Sequence, residues 1–127
     1  MSYINWEYYS SLYDNIPQDR FAMYSKRAEM KINTLTHMRV RNFCNTYDES
    51  TATDFEKQVH EQIMMTMCEL VNKLFMQDEH NLGEGIASVS NDGYSEHYEI
   101  KTASQKEAEL IRCVHQGLSG TGLAGAL

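Results

Sequence analysis

Apolar residues recur every three or four positions along most of this chain, and one region near residue 90 breaks that rule. The longest regular stretch is 53–77, TDFEKQVHEQIMMTMCELVNKLFMQ, where Phe55, Val59, Ile63, Met67, Leu70 and Leu74 share one helical face. Met64, Cys68, Val71 and Phe75 form a second stripe beside the first, so the apolar arc is wide and several other helices must cover it. Thr53 and Glu56 have the spacing of a reciprocal N-terminal cap, and Asp54 and Glu56 suit the positive end of the helix dipole. Upstream, Trp6, Tyr9 and Tyr13 lie at i, i+3 and i+7 with Asn5 as a cap, which predicts a short helix over about 5–13. Its aromatic face is expected to pack on neighbouring helices rather than to line a ligand pocket. Pro17 opens a second helix that runs to about residue 38, with Phe21, Tyr24, Ala28, Ile32 and Leu35 on its apolar face. The polar residues 42–52 read as a connection.

After residue 77 the pattern changes. The stretch DEHNLGEG at 78–85 interrupts the helical spacing with two glycines. Residues 86–90 and 94–100 then alternate about Asn91-Asp92-Gly93, which predicts a polar β-hairpin over about 86–100. Such a hairpin is marginal alone and is expected to lean on something else. A last helix follows over about 103–116, capped by Thr102 or by Ser104 with Glu107, with Ala108, Ile111 and Val114 and the adjacent Leu110 as its apolar face. Gly117 suits its stop. Residues 118–127 (LSGTGLAGAL) hold three glycines and no charge, which predicts an extended tail, frayed or laid against a partner. The fold these elements predict is mainly α: a small bundle of about four helices, a polar β-hairpin between the last two, and an extended C-terminal tail. At 127 residues it is one domain, 1–127.

Composition adds little to the fold but narrows the function. With 42% hydrophobic and 23% charged residues, the chain has the make-up of a folded globular domain. Residues 1–13 lack the basic start and apolar run of a secretory signal, and the longest unbroken apolar run is only 21–24, so no membrane span is expected. Cys44, Cys68 and Cys113 show no paired spacing and read as buried thiols in a reducing cytoplasm. A net charge of −7 argues against general nucleic-acid binding. The charge is also unevenly placed. Residues 20–41 hold Arg20, Lys26, Arg27, Lys31, Arg39 and Arg41 against Glu29 alone, whereas residues 42–99 hold twelve acids against Lys57 and Lys73. This is either a set of solvated helix faces or a basic and an acidic surface suited to head-to-tail self-association.

Catalytic and metal chemistry find no support in the spacing of candidate residues. The histidines are His37, His60, His80, His97 and His115. Cys113 and His115 are too close in sequence to share a helical face as metal ligands, and the His60/Met64 pair reads as packing. Glu56, Glu61 and Glu69 lack the accompanying ExxH element of a di-metal bundle, and no HExxH, Walker, GxGxxG or GxSxG motif occurs. No cofactor or enzymatic activity is expected. Arg39 and Arg41 could touch phosphates, which leaves a nucleic-acid-binding domain as a remote alternative. A small cytoplasmic helical adaptor or regulator is the nearer one.

Four short signatures occur in a fixed order: Trp6-Glu7-Tyr8-Tyr9 with Tyr13; Pro17 to Phe21, then Arg27-Ala28, Ile32 and Leu35-Thr36; Ser88-Val89-Ser90-Asn91-Asp92-Gly93-Tyr94-Ser95; and Gly120-Thr121-Gly122-Leu123. In content and order they resemble the head–tail connector (head-completion, or adaptor) proteins of long-tailed bacteriophages and related prophages, and the likeness covers nearly the whole chain. It implies a small helical, non-enzymatic virion protein without a cofactor. Such a protein assembles as a homo-oligomeric ring under the portal, extends the DNA channel without binding DNA specifically, and receives a stopper or tail-completion protein. It also implies that Ser88, Val89, Ser90, Asn91, Asp92, Gly93, Tyr94 and Ser95 face a neighbour or the next ring. Gly120, Thr121, Gly122 and Leu123 are then an arm on the portal or an adjacent subunit. Family tails commonly continue with an aromatic residue and Arg-Gly, where this chain has Ala124-Gly125-Ala126-Leu127. The charge asymmetry independently suggests Lys26, Arg27 and Lys31 as an intersubunit face.

Overall fold

Five helices make up the computed structural model, which describes residues 2–89 and 103–124, the side chains of 80–89 excepted. They are α1 (Trp6–Leu12), α2 (Gln18–Leu35), α3 (Arg39–Thr46), α4 (Asp54–Val89) and α5 (Ala103–Gly117). No strand occurs among the described residues, so the protein is mainly helical. No helix among them is long and apolar enough to cross a membrane.

α4 is the axis on which the rest packs. Its start is as the Thr53–Glu56 spacing predicts: the Glu56 amide donates to Thr53 Oγ1 at 3.1 Å and the Thr53 amide donates to Glu56 Oε1 at 3.0 Å. Val59, Ile63, Met67, Leu70, Val71 and Leu74 are buried against the other helices. Phe55, assigned to that stripe by its spacing, is 60% exposed, because at the first turn it projects past the core. The helix also does not end near residue 77. It continues through 78–85 and takes in residues 86–89, the first strand of the expected hairpin. Two internal glycines cost roughly 1 kcal/mol each relative to alanine. That is too little to stop a long helix whose earlier turns are pinned from outside. The rest of the expected hairpin, 90–100, lies outside the described residues.

α1 is capped as expected, the Tyr8 amide donating to Asn5 Oδ1 at 2.8 Å. Its aromatic face packs: Trp6 meets Phe21 edge-on at 5.5 Å, and Tyr9, fully buried, meets Phe21 at 5.2 Å. The Tyr9 hydroxyl donates to Asn15 Oδ1 at 3.1 Å and that of Tyr3 to Asn33 Oδ1 at 2.8 Å, so these phenols are bound within the fold rather than left in water.

α2 stops at Leu35, short of the expected 38. The Met38 amide donates to Asn33 O at 2.7 Å and the Thr36 hydroxyl to Ile32 O at 2.7 Å, closing the last turn. His37 and Met38 both take the left-handed conformation, at φ 52° and 66°, and turn the chain straight into α3. The segment 42–46, expected to be connection, is the second half of this helix. Val40, Phe43 and Cys44 give α3 a short apolar stripe, which the flanking asparagines hide in a sequence window.

α5 begins at Ala103, so Ser104 lies inside it and is not the cap. Its buried face is Leu110, Cys113 and Val114, continued by Leu118 just past the helix, whereas Ala108 is exposed and Ile111 half-buried. The expected face was therefore rotated by about one residue. Gly117 lies so close to Thr66 of α4 that an added Cβ would overlap the threonine hydroxyl.

Candidate interaction surface

As far as Ala124, the chain after α5 stays on the molecule. Gly120 and Gly122, at φ 83° and 79°, bend it back, with the Thr121 hydroxyl donating to Leu118 O and accepting from the Leu123 amide. Arg39 of α3 donates through Nε to Leu123 O at 3.0 Å. Gln62 of α4 donates through Nε2 to Gly117 O at 3.2 Å and Ser119 O at 3.0 Å. Leu118 and Ala124 are buried, and Leu123 packs partly on the same core. The expected extended tail is thus, as far as Ala124, a turn seated on its own subunit. Two polar side chains supply partners for carbonyls that glycine-rich backbone would otherwise expose.

The basic segment is similarly committed. Arg27 Nη1 lies 2.9 Å from Asp78 Oδ2, and Lys31 Nζ lies 2.9 Å from both carboxylate oxygens of Glu107 on α5. Arg20 donates to the Tyr24 hydroxyl at 3.1 Å, lies 3.8 Å from Glu79 and stacks 5.5 Å over the Phe75 ring. The Tyr24 hydroxyl in turn donates to Asp78 Oδ2 at 2.7 Å. Burial disfavours the Asp78 carboxylate, but hydrogen bonds from Tyr24 and Arg27, with the charges of Arg27 and Arg20, outweigh it and hold its carboxyl below the usual range. Of Lys26, Arg27 and Lys31, Lys26 alone has no acidic partner among the described residues. Ser88 and Val89 end α4 as helical residues. Ser90 to Ser95 lie outside the described residues.

The thiols and the inner histidine are packed groups. Burial pushes Cys68 and Cys113 up to about 12 and Cys44 to about 11, so all three stay protonated at neutral pH. His60 stacks flat on Tyr47, ring centroids 4.1 Å apart, and burial lowers its pKa against a weaker opposing pull from Glu49. Among the described residues, no three His, Cys, Asp or Glu side chains gather to hold a metal ion.

Two features escaped the sequence reading. Met23 and Met30 stand 50% and 65% exposed on the outward side of α2, opposite its buried face, with Lys26 between them. An open groove of about 410 Å³ runs between α1, α4 and the end of α5, lined by Leu12, Tyr13, Gln62, Met65, Thr66, Glu69 and Gly117. The signal for the first was present, as two large apolar residues on the polar side of the α2 period. The groove could not be read, because it depends on how three helices meet. In comparisons with known proteins, no family model matches the sequence, and no curated protein or solved structure gives a match.

Proposed function

We propose that this chain is a phage head–tail connector: a structural virion protein that forms a ring beneath the portal, extends the DNA channel and receives the stopper or tail. The observation that carries the reading is the order of the four resembling segments along a mainly helical chain. A short aromatic helix comes first, then a long second helix, a central helix, a last helix, and a Gly-Thr-Gly-Leu turn. In this reading α1, α2, α4 and α5 are a small bundle that α3 buttresses, and the polar segment Ser90–Ser95 is offered to the next ring. Leu12, Met23, Met30, Phe55 and Met65, each at least half exposed around a closed core, are compatible with a subunit that is covered on assembly. The protein is structural rather than enzymatic and needs no cofactor, and its acidic balance suits a channel through which DNA slides without being gripped.

An arm function for Gly120–Leu123 requires that turn to leave its seat on Arg39 and Gln62, or to touch its partner through the outer side of the turn. The whole reading is tested by electron microscopy of the purified protein, alone and mixed with a portal protein from the same genome. Rings, or occupancy of the portal's lower face, are expected. A monomer that leaves the portal bare overturns the reading.

A further inference from the structure

The outward side of α2 carries a cation between two exposed methionines, and the groove between α1 and α4 carries a carboxylate beside exposed apolar side chains, so the two surfaces are opposite in charge. Met23, Lys26 and Met30 lie at i, i+3 and i+7, so they form one straight ridge with a cation between two flexible apolar side chains. The groove offers exposed Leu12 and Met65, 50% and 51% accessible, with the exposed carboxylate of Glu69 at its wall. After burial, Glu69 is the next cause that raises the hydroxyl of Tyr13, which shares the groove lining; Lys73 lies one turn further along α4.

Lys26 differs from its neighbours in a way that matters here. Arg27 and Lys31 are neutralised within the subunit by Asp78 and Glu107, whereas Lys26 has no acidic partner among the described residues and is the cation of that trio we assign to an outside carboxylate. We infer that the Met23–Lys26–Met30 ridge of one copy docks in the Leu12–Met65–Glu69 groove of the next. Ridge and groove are different surfaces of one chain, so the contact is heterologous. Each copy keeps one free ridge and one free groove until the series closes. The inference rests on the ring reading above and supplies the surface that makes the ring.

Charge-swapped and apolar-to-acid variants test it, with the portal as assembly template if the protein alone stays monomeric. Lys26→Glu and Glu69→Lys should each weaken assembly several-fold at low salt, and the double variant should recover most of the loss. Met30→Glu should weaken it about tenfold or more, since it places a second carboxylate in an apolar contact. Circular dichroism melts unchanged from the parent show that these exposed substitutions act on association and not on folding. Parent rings that persist unchanged in all four variants overturn the ridge-in-groove contact while leaving the ring reading intact. Stronger association in Lys26→Glu overturns it in favour of ridge meeting ridge. A parent protein that neither self-associates nor occupies the portal removes both proposals.

Discussion

Gly117 sits where α5 leaves no room for a side chain against α4. An added Cβ would overlap Thr66, whose Oγ1 is already tied to Gln62 O at 2.7 Å and whose side chain is buried, so it has nowhere to swing. Gly117→Ala is therefore expected to cost about 1–3 kcal/mol, the usual range for overpacking a filled site. Urea denaturation measures this, and Thr66→Ala in the same chain should return only part of it, because Thr66 Cβ is itself 2.9 Å from the added atom. Met38 is the opposite case. It is 42% exposed and held at φ 66°, a conformation that disfavours any residue with a Cβ by roughly 1–2 kcal/mol. Met38→Gly removes that strain and loses some of the gain to chain entropy. A net stabilisation of about 0.5–1 kcal/mol is expected in the same assay, and a loss would show that the methionine packs for its position.

At the scale of elements, Asp78 ties α4 to two side chains of α2 at the rim of their apolar contact. Asp78 accepts from Tyr24 and Arg27 and has a folded pKa below the ordinary 3.8, so its contribution to stability is full above 3.8 and is lost as the pH falls through the lower folded value. Asp78→Asn should then cost about 1 kcal/mol at pH 7, modest because the site is a third exposed, and almost nothing at pH 2. Thermal melts of both proteins across pH 2–7 give the comparison; an equal penalty at both ends would mean that shape, not charge, holds the pair. The same residue shows why helix ends were hard to read. Val59 to Leu74 announce α4 by local spacing alone, and the Thr53–Glu56 cap announces its start. Just past Gln77 it is met by Tyr24, 54 positions away, and by Arg27 and Arg20, and no window around DEHNLGEG contains those contacts. α3 was missed for the reverse reason: its stripe is only Val40, Phe43 and Cys44, and two left-handed residues, neither of them glycine, separate it from α2. The sequence places Lys26, Arg27 and Lys31 close together, but which of them α4 and α5 neutralise depends on helix packing that no local window contains.

For the whole molecule, the question is whether the glycine-rich end belongs to the core or to the outside. Leu118 is almost wholly buried and Ala124 nearly so, on a core that includes Val114 and Val40. Full burial of a leucine contributes about 2 kcal/mol, and the Arg39 and Gln62 hydrogen bonds to the turn add roughly 1 kcal/mol each at most. Ordering the turn works against this, so the net hold is smaller than these contributions together. A chain ending at Gly117 should therefore lose about 2–3 kcal/mol of stability, and Arg39→Ala in the full chain about 1 kcal/mol, both read by urea titration. An end that was merely an arm for another protein would leave stability untouched in both variants and affect assembly alone. A hold of this size also bears on the proposed ring. It is strong enough to keep the turn seated in a free subunit, yet weak enough for a partner that offers Leu118 and Leu123 a better surface to draw it off. Assembly on the portal at limiting concentration separates the two cases. If the turn must be released, Arg39→Ala should assemble more readily than the parent despite being less stable. If it stays seated, stability and assembly should fall together.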